Sequence, residues 1–157
     1  MERTLRFTIG KHFPYNFPLR PSVLLYRFGT YLAIQAFFLE FKNESKIALI
    51  IKDGGKNTDI LVKNIVNIEK RLGKLNLKIR IIPKFCNKPE LANLYLSADA
   101  FLAPFRGEGF AIKILDALAA GLPVAMTMYC RPTEYANGDN CYLIACDLLP
   151  VGKCYDT

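Results

Sequence analysis

The sequence has a single histidine, His12, and no C-x-x-C pair among its 5 cysteines, Cys86, Cys130, Cys141, Cys146 and Cys154. A zinc site needs several such ligands at close spacing, so no metal is expected. The odd cysteine count, together with a start at Met1–Thr4 that lacks a basic-then-apolar signal layout, points to reduced thiols in the cytoplasm. His12 is remote in sequence from every cysteine, which leaves little support for a catalytic Cys/His pair. No apolar run reaches the roughly 18–20 residues of a membrane span. The longest candidate, residues 110–128, is interrupted by Lys113, Asp116, Gly121 and Pro123. No G-x-G-x-x-G follows the first predicted strand, which disfavours a dehydrogenase-type nucleotide site. Helix-turn-helix, zinc-finger and RNP-type patterns are missing as well.

The chain does have apolar mass and positive charge. With 157 residues, 52% of them hydrophobic, it suits one domain that buries roughly 70% of its unfolded surface. The mean hydropathy of +0.16 excludes global disorder. Net charge is +7, with a mild cluster at Lys63, Lys70, Arg71, Lys74, Lys78, Arg80 and Lys84. Two readings of that cluster stand side by side. One is an anionic partner such as nucleic acid, a membrane face or a phosphorylated ligand; the other is a solvated helix face with adjoining strand ends. Without a recognition motif, no nucleic-acid partner is expected.

Turn residues and apolar runs alternate along the chain. Strands are predicted at 5–9, 46–51, 77–83, 100–103, 123–127 and 141–145, and helices at 30–41, 57–72, 88–98 and 110–120, with one further turn at 131–136. Residues 12–22 hold Pro14, Pro18 and Pro21 and cannot form a continuous helix. Gly73 and Gly121 stop two of the helices, and Pro89 fits a first helical turn. This strand–helix alternation predicts an α/β fold, a doubly wound Rossmann-like parallel sheet. Ligands of such sheets bind beyond the carboxyl ends of the strands.

The loop after Ala103 reads Pro-Phe-Arg-Gly-Glu-Gly-Phe and runs into a helix. Gly107 and Gly109 flank Glu108, which allows a tight turn and close approach of a ligand. The helix that follows presents N–H groups and a positive dipole end to an anion. Asp116 lies two turns further on, so that two carboxylates are available to accept ligand hydroxyls. Each residue also has a plainer reading. Glu108 suits a first-turn acid that complements the helix dipole, Asp116 suits a solvated partner of Lys113, and the glycines suit an ordinary turn.

Read as a whole, residues 91–144 (LANLYLSADAFLAPFRGEGFAIKILDALAAGLPVAMTMYCRPTEYANGDNCYLI) resemble the C-terminal, donor-binding domain of group 1 glycosyltransferases. Those enzymes share the pattern A-D-x-F-x-x-P-S-x-x-E-G-F-G-x-x-x-x-E-A-x-A-x-G-x-P-V. Residues 7–10 and 29–51 resemble the first strand, helix and second strand of the same domain more loosely. The resemblance implies one half of a GT-B architecture, with residues 1–157 as a single nucleotide-sugar-binding domain. It places Glu108 on the donor sugar and Asp116 on the ribose. The backbone of Gly107, Gly109, Phe110, Ala111 and Ile112 then approaches sugar and diphosphate. A basic pair that meets the phosphates falls on Lys11 and Arg27, which join Glu108 as the catalytic set. Several positions depart from the family pattern, among them Phe28 where a lysine is usual, Asp116 where glutamate is usual, and Lys113 where a neutral residue is common.

By the same resemblance the reaction is metal-independent transfer of a sugar, with retention, from a nucleotide-sugar that is a substrate rather than a cofactor. Lack of an Asp-x-Asp motif agrees with this. Such enzymes work between two domains, so the chain is expected to be a fragment that needs an acceptor-binding N-terminal domain and lacks activity alone. Its expected location is the cytoplasm, including the cytosolic face of a membrane. A second reading is a non-catalytic nucleotide-sugar-binding or interaction module left from a truncated glycosyltransferase.

Overall fold

A computed structural model of the chain describes residues 5–10, 28–41, 43–55, 58–73 and 78–148. Six strands among these residues form one sheet: β1 (Leu5–Gly10), β2 (Ile47–Lys52), β3 (Lys78–Ile82), β4 (Ala100–Ala103), β5 (Val124–Thr127) and β6 (Tyr142–Ile144). Their order is β3-β2-β1-β4-β5-β6. Every neighbouring pair is parallel, with Leu5 opposite Ile47, Phe7 opposite Ala100, and Phe101 opposite Val124. Among the described residues four helices connect them: α1 (Thr30–Phe41), α2 (Thr58–Leu72), α3 (Lys88–Leu96) and α4 (Ile112–Ala119). A 3₁₀ turn spans Arg131–Glu134. This is the doubly wound Rossmann-like layer expected of strand–helix alternation, and its order reverses between β1 and β4.

Alternate residues of a strand face opposite sides of the sheet, and β4 shows both sides at once. Phe101 and Ala103 pack with Tyr95, Ile114, Ala117, Val124 and Met126 under α3 and α4. Leu102, between them in sequence, packs against the other core, where Ile34, Phe37 and Phe38 of α1 meet Leu49, Ile51, Leu61 and Ile68. Burying a side chain of this size contributes about 1.5–3 kcal/mol, so each cluster is a substantial share of the stability. Beyond α1, a cavity of about 350 Å³ is lined by Phe37, Phe41, Leu102, Pro123, Ala125 and Tyr142. It contains the first residue of β4, Ala100, and none of the loop that follows the strand.

Local rules fix the element ends. Asn87 and Glu90 form a reciprocal cap on α3: the Asn87 side chain accepts from the Glu90 N–H at 2.9 Å, and Glu90 Oε2 accepts from the Asn87 N–H at 3.0 Å. Gly73 follows α2 directly, and Gly121 follows the Ala120 cap of α4, as their positions suggested. At the carboxyl end of β2, Lys52 and Asp53 are buried. Lys52 Nζ donates to the Lys84 carbonyl at 2.6 Å, and the Thr58 hydroxyl donates to Asp53 Oδ2 at 3.0 Å, joining β2 to the loop after β3 and to α2. Lys63, Lys70, Arg71, Lys78, Arg80 and Lys84 are all exposed, and Lys74 lies outside the described residues. Lys78 and Arg80 stand on β3, an edge strand, where charge discourages pairing with another chain. Cys86 and Cys141 are buried free thiols, Cys130 and Cys146 are more open, and Cys154 lies outside the described residues. No helix among the described residues is long and apolar enough to cross a membrane.

Candidate functional site

The loop of residues 104–111 leaves the carboxyl end of β4, beside the point where strand order reverses. Its anchor is Phe105, 1% exposed, whose N–H donates to the Ala103 carbonyl at 2.9 Å in a tight turn. The backbone then passes Arg106, Gly107, Glu108, Gly109 and Phe110 before entering α4 at Ile112. The helix starts two residues later than the apolar pattern suggested. Ala111 explains the delay: it caps α4 in the left-handed region, at φ 55° and ψ 54°. Gly107 and Gly109 have no positive φ, and a Cβ on either would meet nothing within 4 Å. The unusual backbone expected of the two glycines is carried by Ala111 instead. A signal for this was in the motif itself, which has glycine at that place.

Glu108 stands three residues before the helix cap, so it is not the first-turn acid of the plainer reading. Both of its oxygens are engaged. Oε2 accepts from Lys113 Nζ at 2.6 Å, and Oε1 accepts from the Gly109 N–H at 3.1 Å. The ion pair is nearly dry, with the Lys113 side chain 7% and the Glu108 side chain 12% exposed. Lys113 Nζ also sits 4.0 Å from the ring centroid of Phe28, close enough for a strong cation–π contact. Phe28 is itself buried. Sequence spacing suggested Lys113 as the partner of Asp116; the structure pairs it with Glu108. The reason is geometric, because the left-handed turn at Ala111 folds Glu108 back over the helix start.

Asp116 is half-buried on α4 and has no ion-pair partner among the described residues. Its charge reaches Tyr95 of α3, whose phenol is pushed well up, by burial first and by Asp116 second. The N–H groups of Phe110, Ala111 and Ile112 have no partner among the described residues. The carbonyls on either side of the cap are held by Tyr135, whose hydroxyl lies 2.6 Å from the Phe110 oxygen and 3.1 Å from the Ala111 oxygen. Its ring leans on that of Phe110, with centroids 5.4 Å apart. Burial, then the Glu108 charge, then Cys141 raise the Tyr135 phenol to about 12. Tyr135 and Phe28 were not foreseen as supports of the loop. Both contacts span long stretches of chain that local patterns do not report. Lys11 and Arg27 lie outside the described residues.

A parallel doubly wound sheet with an acid-bearing loop at its switch point defines a Rossmann-like domain with a candidate ligand site. The profile of the family described as Glycosyl transferases group 1 matches residues 29–149, so the chain belongs to that family. Mannosylfructose-phosphate synthase of Agrobacterium fabrum is 27% identical over 103 residues, which are 64% of this chain and 23% of that enzyme. The chain thus spans about a quarter of this curated relative. Among solved structures, the C-terminal domain of the group 1 glycosyl transferase LpcC from Francisella tularensis superposes with a TM-score of 0.66 at 18% identity, covering 91% of this chain and 68% of that one. Anabaena HepE, solved in complex with UDP-glucose, gives a TM-score of 0.65 at 17% identity over 91% of this chain and 35% of its own. These likenesses show the fold.

Proposed function

We propose that the chain forms the donor-binding side of a sugar transferase, with a nucleotide-sugar seated over residues 107–112. The observation that carries this is the position of Glu108, held two to four residues before the N–H groups of Phe110, Ala111 and Ile112, which have no partner among the described residues, at the mouth of α4. A carboxylate accepts sugar hydroxyls, while free amides and the positive helix end offset phosphate charge. The two functions meet in one ligand only if it carries both a sugar and a diphosphate. Membership in the glycosyltransferase family and the UDP-glucose complex of HepE support the same choice.

In this reading Glu108 orients the donor sugar and Asp116, farther along α4, takes the nucleotide's ribose. As the glycosidic bond breaks, charge on the leaving diphosphate grows, and the amides at 110–112 stabilise it without a metal. Transfer with retention, and an acceptor held by a separate N-terminal domain, belong to the proposal. So do a phosphate-facing role for Lys11 and Arg27 and a cytoplasmic location, including the cytosolic face of a membrane.

The test is calorimetric titration with UDP, GDP, ADP and their common sugar conjugates, repeated on Glu108→Gln and Asp116→Asn. One nucleotide class should bind, and each variant should weaken it by about 1–3 kcal/mol, the usual worth of a charged hydrogen bond. A folded wild-type chain that binds none of them sinks the proposal. Binding without transfer, after an acceptor domain is supplied, favours the non-catalytic module instead.

A further inference from the structure

Lys113 is a cation on the second residue of α4, withdrawn almost wholly from water. A lysine in that state needs compensation, and the Glu108 carboxylate at 2.6 Å and the face of the Phe28 ring at 4.0 Å both contribute to it. The geometry also constrains Glu108. One oxygen is held by Lys113 and the other by the Gly109 N–H, so the carboxylate plane cannot rotate without losing one of them. An ionised carboxylate has about four acceptor positions. An acceptor fixed before a ligand arrives loses little freedom on binding. The ammonium cancels the negative charge that would otherwise repel a nearby diphosphate.

We propose that Lys113 is a positioning residue. Held between Phe28 and Glu108, it fixes and charge-balances the carboxylate so that Glu108 recognises the uncharged hydroxyls of the sugar in a sugar diphosphate. The role rests on the donor-site reading given above. It assigns Phe28 a task as well: the ring is the seat of the cation. Lys113 acts on the sugar through Glu108, and its loss should spare the nucleotide part of the ligand.

That separation is measurable. The quantity is the affinity of each conjugate (UDP-glucose, GDP-mannose, ADP-glucose) relative to its own nucleoside diphosphate, using the pair the wild type binds. Lys113→Met and Phe28→Leu should each lower this ratio, with Lys113→Met losing about tenfold, the scale of one charged hydrogen bond. The affinity for the nucleoside diphosphate alone should change less than about twofold. In a Glu108→Gln background, adding Lys113→Met should cause no further loss, because the group it positions is already altered. Equal losses for conjugate and diphosphate would make Lys113 a phosphate contact or a purely structural pair and overturn the proposal. An unchanged ratio overturns it too. If Lys113→Met alone does not fold, Phe28→Leu and the Glu108→Gln/Lys113→Met pair decide the matter. A wild-type chain that binds none of the probes ends the donor-site reading and this role with it, whereas binding with a silent Lys113 ends only the role.

Discussion

Gly29 runs so close to Pro104 that a Cβ built on Gly29 would stand 1.7 Å from the Pro104 carbonyl oxygen. This contact joins the start of α1 to the loop leaving β4. Gly29 also has φ +64°, a region that side chains disfavour, and its carbonyl accepts the Ala33 N–H at 2.9 Å to begin the helix. The preceding residue, Phe28, is thereby set against Lys113. Gly29→Ala would force both backbones apart and strain φ as well. We expect a loss of about 3 kcal/mol or more in urea denaturation, in the range of severe backbone clashes. A variant within about 1 kcal/mol of wild type would show that the two segments are not in contact.

Ala111 offers the opposite experiment. It is held at φ 55° where the family pattern has glycine, and an L-residue in the left-handed region costs about 1–2 kcal/mol. Glycine removes that cost and gives back part of it as chain entropy. Ala111→Gly should therefore stabilise the protein by about 0.5–1 kcal/mol, read as a higher urea midpoint at unchanged slope. A lower midpoint would mean that Ala111 is not in the left-handed conformation.

The sheet and its helices were legible because each rests on local periodicity. The apolar spacing of Leu61, Ile65, Ile68 and Leu72 matches α2, and the run at 100–103 matches β4 to the residue. Glu108 was legible because its motif is contiguous. The Lys113–Glu108 pair was not, since the helical rule of three or four residues applies only inside a helix, and this pair spans five across a left-handed turn. The Phe28 contact joins residues far apart in the chain, and no local pattern carries it. Tyr135 was hidden for the same reason: its hydroxyl reaches 25 residues back to the Phe110 carbonyl.

Tyr135 gives the loop a sensitivity to alkali. Burial and the Glu108 charge raise its phenol from 10.0 to about 12. The folded state therefore prefers the protonated form, so the hydroxyl's contribution is complete below about pH 10 and is lost as pH rises through about 12. Tyr135→Phe should cost about 1 kcal/mol at neutral pH, the net worth of one hydrogen bond. The difference between wild type and variant should shrink across that alkaline window, measured by urea denaturation at each pH. A difference that stays constant to beyond pH 12 would sever the hydroxyl from the stability of the loop.

The Glu108–Lys113 pair should behave as a unit in stability as well as in binding. Lys113→Met keeps most of the side-chain volume but takes away the ammonium that a nearly buried carboxylate meets at 2.6 Å. Breaking such a pair from one side costs about 3 kcal/mol, most of it the penalty of the stranded charge. Glu108→Gln takes the carboxylate charge from the ammonium, which keeps the Phe28 ring and a hydrogen bond to the amide oxygen, so its cost should be smaller. The double variant removes both charges of the pair. It should recover part of the single losses, with a coupling of about 1 kcal/mol or more in a urea-denaturation cycle. Strictly additive losses would mean that the two side chains do not share a dry contact, and that water screens Glu108 from Lys113.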